Sequence, residues 1–181
     1  MTVFLDIDLT DQNTNITSRL GRLVIEIYDD LFPFGSKNFV ELCTGSNGIS
    51  YVNCKFYKIE FSKYAMCGDI TNNNGTGAAT IFNNEPILGL FGETYISHSQ
   101  KGLISLVPFK SNGINYYDSN FMITLISELR ELDNDCVVIG KVVSGIEILN
   151  IVNNSYRSFP GKKYPIITIA NCGLFSRGML N

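Results

Sequence analysis

Histidine is almost absent from this chain. His98 stands alone among 181 residues. A histidine-based metal centre is therefore excluded, a serine triad is not expected, and the lone ring reads as a structural residue. Charge is also sparse, at 17% of residues with a net value of -3, and no run of Lys or Arg occurs. Nothing electrostatic points to nucleic acid as a partner. Long apolar runs are missing: none approaches the ~20 residues that cross a bilayer. The opening MTVFLDIDLT places Asp6 and Asp8 where a secretion signal needs unbroken apolar residues, so a cytoplasmic protein without a membrane segment is expected. Paired cysteines are missing too. Cys43, Cys54, Cys67, Cys136 and Cys172 are odd in number and form no C-x-x-C, which argues against a zinc site or a disulfide framework and for free thiols. Gly75-Thr76-Gly77 fits neither dinucleotide nor P-loop spacing, and Asp133 with Asp135 lacks the glycine and glutamate of a calcium loop. No metal or cofactor is expected.

What remains is an apolar chain, 45% hydrophobic, read as a single domain over residues 1–181. A domain of this size buries roughly 70% of its unfolded surface. Val3, Leu5, Ile7 and Leu9 alternate with Phe4, Asp6 and Asp8, and Leu23, Ile25 and Ile27 with Val24, Glu26 and Tyr28, and each set predicts a strand. Thr10–Arg19 reads as a long hairpin loop between them. Pro33 suits the first turn of a helix that Asp30 would cap, and Thr44–Gly48 would end it. Tyr95–Ser97, Leu103–Val107, Phe121–Thr124 and Val137–Val142 are further strands. A second helix begins near Gly145, and Ile166–Ile169 is a last strand expected to pair with the first and close the sheet. The stretch FYKIEFSKYAMCGDITNNNGTG, residues 56–77, reads as two strands and a loop forming one wall of a peptide groove.

Matching pieces occur in family order along nearly the whole chain. They include Phe56-Tyr57-Lys58-Ile59, Gly68-Asp69, Asn74-Gly75-Thr76-Gly77, Gly102-Leu103-Ile104-Ser105-Leu106, Ser119-Asn120-Phe121-Met122-Ile123, Leu132-Asp133, Val137–Val142 and Ile167–Gly173. Together they resemble the cyclophilins. The resemblance implies a mainly β fold: a closed eight-stranded antiparallel barrel with two short helices capping the ends. It also implies catalysis of cis–trans isomerisation at X-Pro bonds, against a barrier of ~18–20 kcal/mol set by amide resonance.

The site implied by the resemblance has changed. Lys58 takes the place of the family arginine, keeping charge but losing the planar fork. Met66 replaces the glutamine that would orient it. Lys63 and Tyr64 stand where the proline pocket has Phe-Met; a one-residue slip in this segment would instead make Tyr64 the pocket aromatic and turn Lys63 away. Met122 replaces a pocket phenylalanine, Leu132 is kept, and Cys136 replaces a histidine. Asn120 shortens a glutamine that binds substrate backbone, Val107-Pro108 replaces Ala-Asn and deletes a backbone donor, and Asn74-Gly75-Thr76 flanks a second pocket. Glu131 stands where a tryptophan contacts cyclosporin, so cyclosporin binding is expected to be weak or absent. Three readings follow: a slow monomeric isomerase acting on proline-containing peptides or proteins, a binding module without catalysis, or an interaction protein using Thr10–Arg19 or Pro108–Asp118.

Overall fold

The computed structural model describes residues 1–89, 96–158 and 160–176. Thr2–Thr10 (β1) and Thr17–Ile27 (β2) form a long antiparallel hairpin. Val3, Leu5 and Ile7 enter the core. The opposite face is covered as well. Asp6 receives two hydrogen bonds from Arg22, at 2.7 and 2.9 Å, and the guanidinium lies 3.8 Å from the Phe4 ring centroid. The loop read as Thr10–Arg19 is therefore shorter than expected, because the strands continue to Thr10 and restart at Thr17. Asp11 closes the turn by accepting the backbone N–H groups of Asn13 and Thr14.

The helix Pro33–Thr44 (α1) follows, with proline in its first turn and Gly45 ending it at φ 69°. Its capping residue is Phe32, not Asp30, and no side chain caps it. Lys58–Glu60 (β3), Tyr64–Cys67 (β4), Ile87–Leu88 (β5), Leu103–Leu106 (β6), Phe109–Ser111 (β7), Ile114–Tyr117 (β8), Phe121–Thr124 (β9) and Val137–Ser144 (β10) come next. The helix Ile146–Ser155 (α2) and Ile166–Leu174 (β11) complete the order. The expected strand at Tyr95–Ser97 has its first residue outside the described residues, and Ile96 and Ser97 are not in a strand. The segment Pro108–Asp118, read as a loop, contains the β7–β8 hairpin. Its turn is Asn112-Gly113, both at positive φ, which matches the twist of the flanking strands.

Eight strands make one curled antiparallel sheet in the order β11-β1-β2-β10-β6-β9-β4-β3, and β5-β8-β7 form a second. The barrel is not closed as expected. Its edge strands β11 and β3 do not pair with each other. Among the described residues the segment ahead of β3 reaches β11 instead, through Phe56 N–H to Ile167 O at 3.0 Å, Asn53 N–H to Ile169 O at 2.7 Å, Ile169 N–H to Cys54 O at 3.0 Å and one bridge, Lys55 to Thr168. With three residues in β3, the edge is too short to carry a full ladder.

Phe39, Tyr51 and Phe121 meet inside the curl with ring centroids 5.1–5.2 Å apart. The Tyr51 hydroxyl donates to Ser119 O at 2.9 Å, which fixes the chain just before β9. Tyr51→Phe leaves that buried carbonyl without its partner and should cost about 1–3 kcal/mol in urea unfolding. Asparagine supplies many of the turns. Among the described residues, six of the eight non-glycine positions at positive φ are Asn, the residue that tolerates this region best after glycine.

Candidate active-site groove

One wall of the candidate site is a loop folded around a single carboxylate. Asp69 is fully buried at the end of β4. Its Oδ1 accepts the backbone N–H of Asn72 at 2.8 Å. Its Oδ2 accepts those of Asn74, Gly75, Thr76 and Gly77 at 2.8–3.1 Å. Desolvation pushes the carboxyl pKa up, but the hydrogen bonds from Asn72, Gly77, Asn74 and Gly75 together outweigh it and hold the group well below the ordinary carboxylate range. Gly75 is required on two counts. It sits at φ 88°, and a Cβ there would lie 2.7 Å from the Tyr57 ring. The Asn74-Gly75-Thr76 turn is thus pressed against Tyr57.

This loop and the chain around Val107–Phe109 bound a groove of about 700 Å³. Lys58, Met66, Asn74, Gly75, Thr76, Val107, Pro108 and Asn120 all line it. Asn120 is built into the wall. Its Nδ2 donates to Gly77 O at 3.0 Å and Asp118 Oδ1 at 2.9 Å, while its Oδ1 accepts from the Tyr57 hydroxyl at 3.1 Å. Both amide hydrogens are engaged, so only acceptor capacity is left to face a ligand. Val107 N–H turns inward to Asn120 O at 3.1 Å, and Pro108 has no N–H to offer.

Lys58 stands opposite Met66 in the β3–β4 pairing, and Met66 stands opposite Met122 of β9. The alternation that buries Ala65 and Cys67 inside the sheet places Tyr64 and Met66 on its outer face. The Lys58 ammonium lies 5.5 Å from the Tyr64 ring centroid. Among the described residues it forms no ion pair.

Residues 13–174 match the family model for cyclophilin type peptidyl-prolyl cis-trans isomerases. The chain belongs to the cyclophilin family. It is 39% identical to a structural PPIase-like protein of Acanthamoeba polyphaga mimivirus, over 96% of this chain and 81% of that protein. It is 28% identical to peptidyl-prolyl cis-trans isomerase B of Saccharomyces cerevisiae, over 94% of this chain and 78% of that one. The crystal structure of the mimivirus cyclophilin superposes with a TM-score of 0.86 at 38% identity, covering 99% of this chain and 92% of that one.

This cyclophilin does not bring every residue singled out from sequence to the same groove. Lys63 lies in the turn between β3 and β4, ion-paired with Glu60 at 2.8 Å. Glu60 is held below its ordinary range by hydrogen bonds from Lys63 first and then Tyr64. Both side chains are thus tied to Glu60, and Lys63→Ala should change peptide isomerisation less than twofold and leave the urea midpoint essentially unmoved, because an exposed ion pair is screened by solvent. Met122 is only 3% exposed. Leu132 ends the 3-10 turn Arg130–Leu132, and its carbonyl accepts Cys136 N–H at 2.9 Å. Burial, then Asp135, pushes the Cys136 thiol up to about 12, so it stays neutral where a histidine would titrate.

Sequence reasoning missed the roles of three groups here. Asp69 was legible only as a family match, although an Asp followed by Asn and Gly residues is the composition of a carboxylate-centred turn. Tyr57 and Asp118 reach the groove through tertiary contacts that no local pattern announces. His98, read from sequence as a structural residue, is buried in a polar chain. Its Nδ1 lies 2.7 Å from Asp133 Oδ1 and its Nε2 lies 2.7 Å from Ser105 Oγ. The order is that of a nucleophile triad, which sequence reading set aside. Ser105 and His98 are fully buried, however, and Ser105 sits in β6 opposite Met122. The chain therefore braces the sheet and presents no hydroxyl to substrate.

Proposed function

We propose that this cyclophilin is an X-Pro cis–trans isomerase with a reduced rate, in which Lys58 is the electrophile. The observation that supports this most is the position of Lys58. This exposed residue, without an ion pair among the described residues, lines the groove together with Met66 and the Asn74–Thr76 turn. As the amide twists, the proline nitrogen loses resonance and gains basicity. A cation that donates to it favours the twisted state over both planar ones. Lysine supplies the charge, but no side-chain hydrogen bond among the described residues aims it, and the apolar Met66 opposite it cannot. Reduced rate follows from that loss of orientation. Glu131, in place of an aromatic, adds weak cyclosporin affinity to the same reading.

A second reading is a proline-binding module without turnover. The unaimed ammonium favours it, as does the description of the mimivirus relative as a structural PPIase-like protein. Titration of an Ala-Pro tetrapeptide with catalytic and then stoichiometric protein separates the two. Faster cis–trans exchange at catalytic protein supports the isomerase. Shifted peptide resonances without faster exchange support the module, and unchanged spectra exclude both.

A further inference from the structure

The groove holds a second charge that the isomerase chemistry does not use. Asp118 follows β8 at the groove floor and is 8% exposed. Its Oδ1 accepts the backbone N–H of Asn120 at 2.7 Å and the Asn120 amide at 2.9 Å. Among the described residues nothing hydrogen-bonds its Oδ2, and no cation pairs with it. Lys110, on the neighbouring hairpin, is taken by Asp135 at 3.0 Å. Burial pushes the Asp118 carboxyl pKa up, and nearby Asp69 adds to this. The same carboxylate lines a side cavity of about 130 Å³, walled by Ala78, Ala79, Thr80, Asn84, Pro86 and Phe109. Among the described residues Asp118 is the only charged one in that lining. Phe109 borders both spaces, is 42% exposed, and stacks on Tyr116 at 5.8 Å and 24°.

A carboxylate buried without a counter-charge is costly, and a cationic ligand offsets that cost where it also fills the space beside it. The walls suit a basic side chain in particular. Ala78 and Ala79 flank an aliphatic stem, and the exposed ring of Phe109 offers a face to a cation. Lys58 lines the same groove and repels a second cation near itself, which leaves Asp118 as the seat for one.

We propose that the groove selects proline peptides carrying a Lys or Arg near the proline, whose cation seats against the free Oδ2 of Asp118 beside Phe109. This deepens the groove reading above and rests on it. Acidic or bulky apolar residues at that position are disfavoured, the first by charge and the second by the stranded carboxylate.

The test compares proline peptides with Lys, Gln or Glu placed singly at each of the three positions before and the two after proline. Affinities are read by NMR titration against wild type and Asp118→Asn. At one position, wild type should bind Lys at least tenfold tighter than Gln, and Glu weaker than Gln. In Asp118→Asn the Lys-to-Gln ratio at that position should fall below twofold. The carboxyl carbon resonance of Asp118 in wild type, a readout that needs no variant, should move with the Lys peptide and not with the Gln peptide. Equal affinity for Lys and Gln at every position overturns the basic-residue proposal while leaving the groove in place. A preference for Lys that persists in Asp118→Asn also overturns it. No binding by any peptide overturns the groove reading itself, and this proposal with it.

Discussion

Replacing Asp69 with alanine should undo the Asn72–Gly77 turn and cost about 3 kcal/mol of stability, because a buried acceptor is lost while several amides still need one. The carboxylate serves five backbone N–H groups at once; of these, Thr76 N–H also reaches Asn74 Oδ1 at 3.0 Å. Asp69→Asn keeps the volume but points N–H donors at N–H donors, so it should lose nearly as much. Urea unfolding reads the cost, and amide exchange at Asn74–Gly77 reads the site. The same group gives an acid dependence whose direction is fixed. Its folded pKa lies below that of an unfolded aspartate, ~3.9, so the stability is complete well above that value. It is lost as pH falls through the unfolded pKa towards the folded one. Asp133 is depressed as well: desolvation opposes this, but hydrogen bonds from Ser97 and His98 outweigh it, and the effect runs the same way. Protection of the Gly75 and Gly77 amides should therefore hold from pH 7 to 5 and fall between pH 4 and 2. Unchanged protection across that range in wild type would contradict a carboxylate-centred loop.

Replacing Lys58 with alanine should lower the isomerisation rate about 100-fold, at the lower end of what removing one charge-stabilising donor costs. The upper end, about 1,000-fold, belongs to a donor already held in place, and Lys58 is not held: it lies 5.5 Å from the Tyr64 ring centroid and forms no ion pair among the described residues. Two further variants follow from the same reasoning. Lys58→Arg restores the planar fork and should match or exceed wild type. Lys58→Arg with Met66→Gln adds a polar neighbour directly opposite in the strand pairing and should exceed both. Peptide affinity should change far less than the rate across the series, because the interaction is made in the twisted state rather than the planar ones.

Much of the framework was readable because period-2 patterning and turn chemistry are local. Val3–Leu9, Leu23–Ile27 and Phe121–Thr124 fall in strands, and Pro33 opens a helix. The hairpin β7–β8 was passed over because its strands are three and four residues long and β7 is exposed along its length; only Asn112-Gly113 signalled it. Closure was expected from the last strand pairing with the first as well as from the family resemblance; that pairing forms, but no local pattern bears on whether β11 and a three-residue β3 can meet. The candidate site divides in the same way. Lys58, Met66 and Asn74–Thr76 are read from one continuous stretch. Lys63 could not be placed until its ion pair with Glu60 fixed the turn. Asp118 and Tyr57 depend on Asn120, 63 residues from Tyr57 along the chain, and such contacts carry no periodicity.

The central claim is that this groove turns over X-Pro bonds through Lys58. Two-dimensional exchange NMR on an Ala-Pro tetrapeptide, with wild type and Lys58→Ala side by side at equal concentration, tests it most directly. Cis–trans cross-peaks should build up with wild type at catalytic concentration and be weaker by about two orders of magnitude in rate with the variant. Equal acceleration by both proteins, or none by either, would contradict it.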